Sequence, residues 1–366
     1  MSDQLTSRTL LHLTQLVNFN TCNPPNRYKD SGMMDYLQQQ LTPSGAKIQV
    51  MDHGNHSVNL LVTQGQPKYL FNFHMDTVPV AEGWSSDPFQ LKVTEDKAYG
   101  LGSCDIKGAA AAMLAAIQHY ALTDFALLFS SDEEHGNSTC IKEFLKNTHA
   151  YQGVIVAEPT TAQAITAHRG INTFQLDIKS RSGHSSEKRA LSDNAIHQFA
   201  HWAEQATQTA RQYEATSFKN LSGICFNIGV VEGGIKPNII AHQLSTRFGI
   251  RPLPGQAPKS VVEQLTKGLT DQMTLTPMFS APAFPAPVKE QASEQREEEL
   301  AKRLQLPIGD PVNFWTEASL FSQAGYATIV YGPGDIQQAH APDEFVEISQ
   351  LTQVAENYAR ILTDEK

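Results

Sequence analysis

Four apolar runs that each stop on a histidine or a carboxylate limit what this chain can fold into more than any other feature. Tyr69-Leu70-Phe71-Asn72-Phe73 stops at His74 and Asp76, and Phe125–Ser131 stops at Asp132, Glu133 and Glu134. Gly153–Ala157 stops at Glu158, and Ala327–Tyr331 is followed by the polar segment Gln338–Glu344, which contains His340. Short apolar runs of this kind read as buried strands. In open α/β sheets the carboxyl ends of the strands face the ligand crevice, so polar residues at those ends are brought to one place. On an extended segment His74 and Asp76 point to the same side. Taken alone, the pair fits either a metal ligand with a helper carboxylate or a hydrogen-bonded structural histidine.

The intervening sequence supplies helices. Residues 5–19 and a segment around Met34, Leu37 and Leu41 carry apolar residues at helical spacing, and 106–120 is alanine-rich, the composition with the least helical cost. Gly108 lets the first turn of that helix approach another backbone closely. Asp105, at its amino end, reads either as a ligand or as a helix cap. After Thr160 the pattern changes. Ile171–Ile178 alternates Phe174, Leu176 and Ile178 with polar residues, as in an antiparallel strand with one covered face. A helix over 193–213, strands over 223–231 and 239–250, a helix over 258–269 and a strand over 273–279 follow. That β-α-β-β-α-β order predicts a ferredoxin-like insertion. The segment Ala281–Pro287 reads as a linker back to the first domain, which 295–304, 317–324, 327–331 and 349–362 complete. The predicted fold class is α/β: a catalytic domain with a mixed, mostly parallel sheet covered by helices over 1–168 and 281–366, plus an inserted α+β domain over 169–280.

Length and charge agree with this division. At about 150 residues per domain, 366 residues suggest two. With 28 basic against 38 acidic residues and a formal charge of -10, binding to nucleic acid or an anionic membrane is not expected, because basic patches do that work. The amino terminus lacks a signal pattern and no apolar run approaches the ~20 residues needed to cross a bilayer, so a cytoplasmic protein is expected. Cys22, Cys104, Cys140 and Cys225 are scattered, which fits reduced thiols.

From Thr21-Cys22-Asn23-Pro24-Pro25 through Tyr99–Gly108 to Gln338-Ala339-His340, the motifs and their order resemble the M20 metallopeptidase family. Phe314–Ser319 and Tyr331–Asp335 are similar to the branch that deacetylates N-acetylornithine or N-acetylcitrulline in arginine synthesis. The resemblance implies two divalent metal ions, zinc with cobalt or manganese possible, held by His74, Asp105, Glu134, Glu158 and His340 with Asp105 bridging. It implies Glu133 as general base and Asp76 as the carboxylate that holds the His74 ring. It further implies a homodimer in which the inserted domain is a lid and dimerisation unit, with His184 of Gly183-His184-Ser185-Ser186 stabilising the oxyanion in the neighbouring subunit. Arg251, Asn238 and Arg169 are implied to receive the carboxylate of a small N-acyl amino acid, arginine's fork suiting that task. A cis Asp105–Ile106 bond is also implied.

Bland readings stay open beside these. Glu133 and Glu134 read equally as a solvated acidic turn, His184 as a loop histidine, and the arginines as surface residues. His168 could line the cleft, and Glu317 lies near the expected pocket with no assigned role. Succinyl-diaminopimelate desuccinylase, a broader aminoacylase or dipeptidase, and a metal-stabilised protein without turnover are the alternatives in function.

Overall fold

The computed structural model describes residues 2–135, 138–286 and 293–363. The ten strands of the two larger sheets are, in chain order, β1 Lys47–Asp52, β2 Val58–Gln64, β3 Tyr69–His74, β4 Phe125–Ser130, β5 Gly153–Val156, β6 Ile171–Lys179, β7 Asn227–Gly233, β8 Gln243–Ile250, β9 Met273–Ala281 and β10 Thr328–Val330. The chain divides into two units, one of residues 2–166, 293–309 and 316–363, the other of 167–286 and 310–315.

The first unit is built on a six-stranded sheet in the order β1-β2-β4-β3-β5-β10. β4, β3, β5 and β10 run parallel, and β2 and β1 extend the sheet antiparallel. Every residue of β3 and β4 is buried, which explains why these strands are continuous apolar runs: helices cover both faces. Helix Lys107–Tyr120 packs against helices Ser2–Asn18 and Ile348–Thr363, and its buried alanines from Ala109 to Ala116 keep the axes close. A Cβ on Gly108 would lie 2.3 Å from the Ser103 carbonyl oxygen, so only glycine lets this helix start against the preceding loop. His74, Glu158 and the 131–134 segment all follow the carboxyl ends of parallel strands.

The second unit has the element order β-α-β-β-α-β, with an antiparallel sheet ordered β7-β8-β6-β9. Phe174, Leu176, Ile178, Leu244, Phe248 and Ile250 point to a core closed by helices Ala195–Arg211 and Pro258–Leu265, with Trp202 buried in it. The alternate residues form an uncovered face, which is the reason for the alternating pattern in β6.

Several boundaries depart from expectation. The segment expected as a linker is described through Ala286 and packs in the second unit, where Phe284 exchanges backbone hydrogen bonds with His168 at 2.8 and 3.0 Å. Residues 310–315 join that unit too, with Val312 N–H donating to the Ala167 carbonyl. Short pairings at Lys92–Val93, Lys97–Tyr99 and Phe345–Glu347 had no visible sequence signal. None of the four cysteines is paired. Among the described residues no helix is long and apolar enough to cross a membrane.

Candidate metal centre

Two groups of three side chains meet at the carboxyl ends of the parallel strands: His74, Asp105 and Glu158, and Asp105, Glu134 and His340. Within each group the potential ligand atoms all lie within 4.8 Å of one another. Asp105 belongs to both. Its Oδ1 is 3.0 Å from His74 Nε2 and its Oδ2 is 3.3 Å from His340 Nε2, so each oxygen faces a different imidazole. Glu158 Oε1 is 3.6 Å from His74 Nε2, and Glu134 Oε1 is 3.2 Å from His340 Nε2. Helix Lys107–Tyr120 has Ile106 at its cap position with no side-chain cap, so Asp105 does not serve as a helix cap. The Asp105–Ile106 bond is cis, as expected.

Asp76 orients His74 by a different atom from the one expected. His74 Nδ1 donates to the Asp76 backbone carbonyl at 3.0 Å, while the nearest Asp76 carboxylate oxygen is 3.7 Å away. That donation leaves the Nε2 lone pair for a ligand. The Asp76 carboxylate instead accepts the backbone N–H of Glu134 at 3.0 Å, that of Glu133 at 3.3 Å, and Asn23 Nδ2 at 2.8 Å. It therefore holds the acidic segment, which bends after β4 rather than continuing extended. Among the described residues no donor engages the Glu133 carboxylate.

The electrostatics show a site short of positive charge. Burial lowers the proton affinity of His74, but Glu158 and Asp105 outweigh it and hold its pKa well above the usual value. Hydrogen bonds that the His340 ring donates to the Asp105 and Glu134 carboxylates raise its pKa to about 11. Burial raises Glu158 to about 7 and Glu133 well above the ordinary range, with neighbouring carboxylates adding to both and His74 opposing. Glu317 is also buried here. One of its oxygens accepts from Ser130 Oγ at 3.3 Å, and the other, Oε1, has no hydrogen-bond partner among the described residues. Asp105, Glu133, Glu134 and Glu158 carry four negative charges when ionised, which two divalent cations would offset. Mixed imidazole and carboxylate donors suit zinc, cobalt or manganese, so the residues fit such ions.

Glu344 has a role that its place in the sequence does not reveal. It is 2% exposed, and its carboxylate accepts the backbone N–H groups of Gly102, Cys104 and Asp105 at 2.9, 2.9 and 3.0 Å. Only its position four residues after His340 hinted at it.

In the second unit, His184 is exposed on a loop. Its Nδ1 accepts the Ser186 backbone N–H at 3.3 Å, so a neutral ring carries its proton on Nε2. The His184 loop pairs with the one carrying Asn238: Ser185 N–H donates to the Asn238 carbonyl at 3.1 Å. Arg251 lies with Arg247, Asn227, Gly229 and Gly249 around a hollow of about 340 Å³ on the uncovered sheet face, and among the described residues no acidic one lines it.

Arg169, expected to receive a carboxylate, turns its guanidinium into the fold. It is 2% exposed, and its guanidinium donates to Asn313 Oδ1 and to the carbonyls of Ser222, Gly223 and Arg251 at 2.6–3.1 Å. Four of its five donors are thus committed to the fold. His168 is likewise structural, fully buried with Nδ1 donating to the Arg169 carbonyl at 2.8 Å.

A mostly parallel sheet carrying two ligand groups that share one carboxylate fits a dinuclear metallohydrolase. Comparison with known proteins agrees: the model of peptidase family M20/M25/M40 matches residues 70–364, and the chain belongs to this family. It is 45% identical to the N-acetyl-L-citrulline deacetylase of Xanthomonas campestris pv. campestris, covering 99% of both chains. It is 31% identical to the acetylornithine deacetylase of Pasteurella multocida over 90% of each. A tripeptidase structure from Staphylococcus aureus shares the fold, with a TM-score of 0.78 at 18% identity and 98% of both chains covered.

Proposed function

We propose that this chain is a metal-dependent amidohydrolase that removes the acetyl group from N-acetyl-L-citrulline or N2-acetyl-L-ornithine, a step of arginine biosynthesis. The observation that carries the reading is the division of Asp105 between the two imidazoles, in a chain 45% identical to an N-acetyl-L-citrulline deacetylase. His74, Asp105 and Glu158 would hold one divalent cation, and Asp105, Glu134 and His340 the second, with zinc preferred and cobalt or manganese as substitutes. Bound there, the ions would polarise the amide carbonyl and acidify water. Glu133 takes a proton from the attacking water and delivers it to the leaving nitrogen as the C–N bond breaks, yielding acetate and the free amino acid. The absence of a described donor on its carboxylate leaves it available for both transfers. Asp76 supports this step by holding the backbone of Glu133 and Glu134.

Residues of the second unit serve the same reaction in this reading. His184, with its proton on Nε2, stabilises the oxyanion, acting in the partner subunit of a homodimer. Arg251 and Asn238 bind the α-carboxylate. Arg247, on β8, and Arg251, the residue after its end, line the same hollow. The Arg247 guanidinium at this hollow disfavours the cationic tip of ornithine and accepts the neutral urea of citrulline. The same arginine pair favours a second reading, removal of a succinyl group from a substrate with an additional carboxylate. The protein acts on small molecules in the cytoplasm, without nucleic acid or membrane.

The test is a panel of N-acetyl-L-citrulline, N2-acetyl-L-ornithine, N-succinyl-diaminopimelate and a dipeptide, assayed on protein stripped by chelation and reloaded with zinc or cobalt. Hydrolysis of an acetyl substrate with the highest kcat/KM is expected. Metal-loaded protein that turns over neither acetyl compound overturns the reading.

A further inference from the structure

We infer that Glu344 is a positioning residue that sets the spacing between the two ligand groups, by tying the backbone at Asp105 to the loop that carries His340. This rests on the two-cation reading above and adds a residue to it. The three amides that Glu344 receives, those of Gly102, Cys104 and Asp105, belong to one loop, and that loop ends on the carboxylate shared by both groups. The Glu344 carbonyl binds the same loop, accepting Gly100 N–H at 3.0 Å and Ser103 Oγ at 3.3 Å. The next residue, Phe345, pairs with Tyr99 in an antiparallel ladder, so loop and carboxylate start from a common register.

His340 needs such a tie. Its side chain is 51% exposed and its ion-pair contacts among the described residues are with Asp105 and Glu134, so its own packing fixes it little. Both His340 and Asp343 sit at positive φ, 60° and 57°. Asp343 holds the far side of this loop, accepting Ser85 N–H at 2.8 Å and Ser85 Oγ at 2.6 Å. Gly102, at φ +81°, is packed so that a Cβ would meet Lys107 at 2.8 Å and Thr77 at 2.9 Å, which leaves the loop little room to find another acceptor. Charge-assisted bonds to a carboxylate are stronger than neutral ones, and a glutamine has a single acceptor oxygen where the glutamate has two. Its NH2 would face the Gly102 N–H, donor against donor. His74, by contrast, is the last residue of β3 and Glu158 lies two residues past β5, so neither depends on this tie. Loss of Glu344 should therefore weaken the Asp105–Glu134–His340 group and spare the His74–Asp105–Glu158 group.

The test is Co²⁺ binding to the chelator-stripped full chain, read by calorimetry and by the cobalt absorption spectrum, with hydrogen exchange on the metal-free protein. Glu344→Gln should bind one Co²⁺ as the unaltered chain does and the second ~10 to 100-fold more weakly, the usual effect of losing a group that orients a ligand. Exchange at Gly102, Cys104 and Asp105 should speed up without metal. Glu344→Asp keeps the charge but shortens the reach, and should weaken the second ion by a smaller factor if the glutamine variant does not fold. Glu297→Gln is the control: Glu297 is fully buried in the same unit and accepts Thr328 N–H and Ser322 Oγ beside Arg296, away from the ligands. It should keep both ions. The inference is overturned if the Glu344 variants hold both ions as tightly as the unaltered chain, or if Glu297→Gln loses the second ion equally. Failure of the unaltered chain to bind two Co²⁺ would instead overturn the two-cation reading and this inference with it.

Discussion

The Asp76 carboxylate accepts the backbone N–H of Glu134 at 3.0 Å, so the residue that orients His74 through its carbonyl also holds the opposite side of the centre through its side chain. Asp76→Asn separates the two tasks. The carbonyl remains, but an amide cannot accept from Glu133, Glu134 and Asn23 as the carboxylate does. We expect kcat/KM to fall ~10 to 100-fold with the His74-bound ion retained. Metal analysis beside the kinetics checks this. Loss of that ion would return the holding of His74 to the carboxylate.

Glu133→Gln removes the proposed proton carrier and no proposed ligand. Hydrolysis should drop by ~10² to 10⁴-fold with both ions still bound. Turnover at the unaltered rate would take Glu133 out of the mechanism.

Arg169→Ala distinguishes a structural arginine from a substrate ligand. Three carbonyls and Asn313 lose their donor, which should cost on the order of 3 kcal/mol in stability of the second unit. KM of the protein that remains folded should hardly change. A large rise in KM with stability intact would reinstate Arg169 as a carboxylate receptor.

Arg247→Ala removes a guanidinium from the hollow that it lines with Arg251. The ratio of kcat/KM for N2-acetyl-L-ornithine over N-acetyl-L-citrulline should rise about 5 to 10-fold, the scale of a modest pocket contact. An unchanged ratio would show that Arg247 does not sense the substrate tip.

Away from the centre, His12 sets a pH dependence of stability. It is 2% exposed, with Nδ1 2.7 Å from Tyr36 Oη and Nε2 3.0 Å from Gln118 Oε1. Burial lowers its pKa below 6.5, the Gln118 hydrogen bond opposes this, and Arg8 adds to it. The unfolded chain therefore binds this proton more readily than the folded one. Its contribution is intact above pH ~6.5 and is lost as pH falls below that value. Urea unfolding from about pH 8 to about pH 5 should show the stability difference between the unaltered chain and His12→Gln shrinking on the acid side. A pH-independent difference would show that His12 titrates alike in both states.

How much of this was legible in the sequence varied with the range of the interaction involved. The continuous apolar runs at β3 and β4 marked strands covered on both faces, and the alternation in β6 marked a strand covered on one, because side-chain pattern answers directly to burial. The polar residues closing those runs were visible for the same reason. Element ends, the two- and three-residue strands and the attachment of 310–315 to the second unit were not, since each depends on partners far along the chain.

Residue types and their place at strand ends were thus determined by the sequence alone: which imidazoles and carboxylates could gather, and on what kind of sheet. Tertiary structure decided which atom of each does what. Asp76 uses its carbonyl for His74 and its carboxylate for Glu133 and Glu134, Arg169 turns inward to backbone carbonyls, and Glu344 reaches a loop some 240 residues earlier. A hydrogen bond needs donor and acceptor within about 3 Å and in line, and that condition is met only once distant segments have packed.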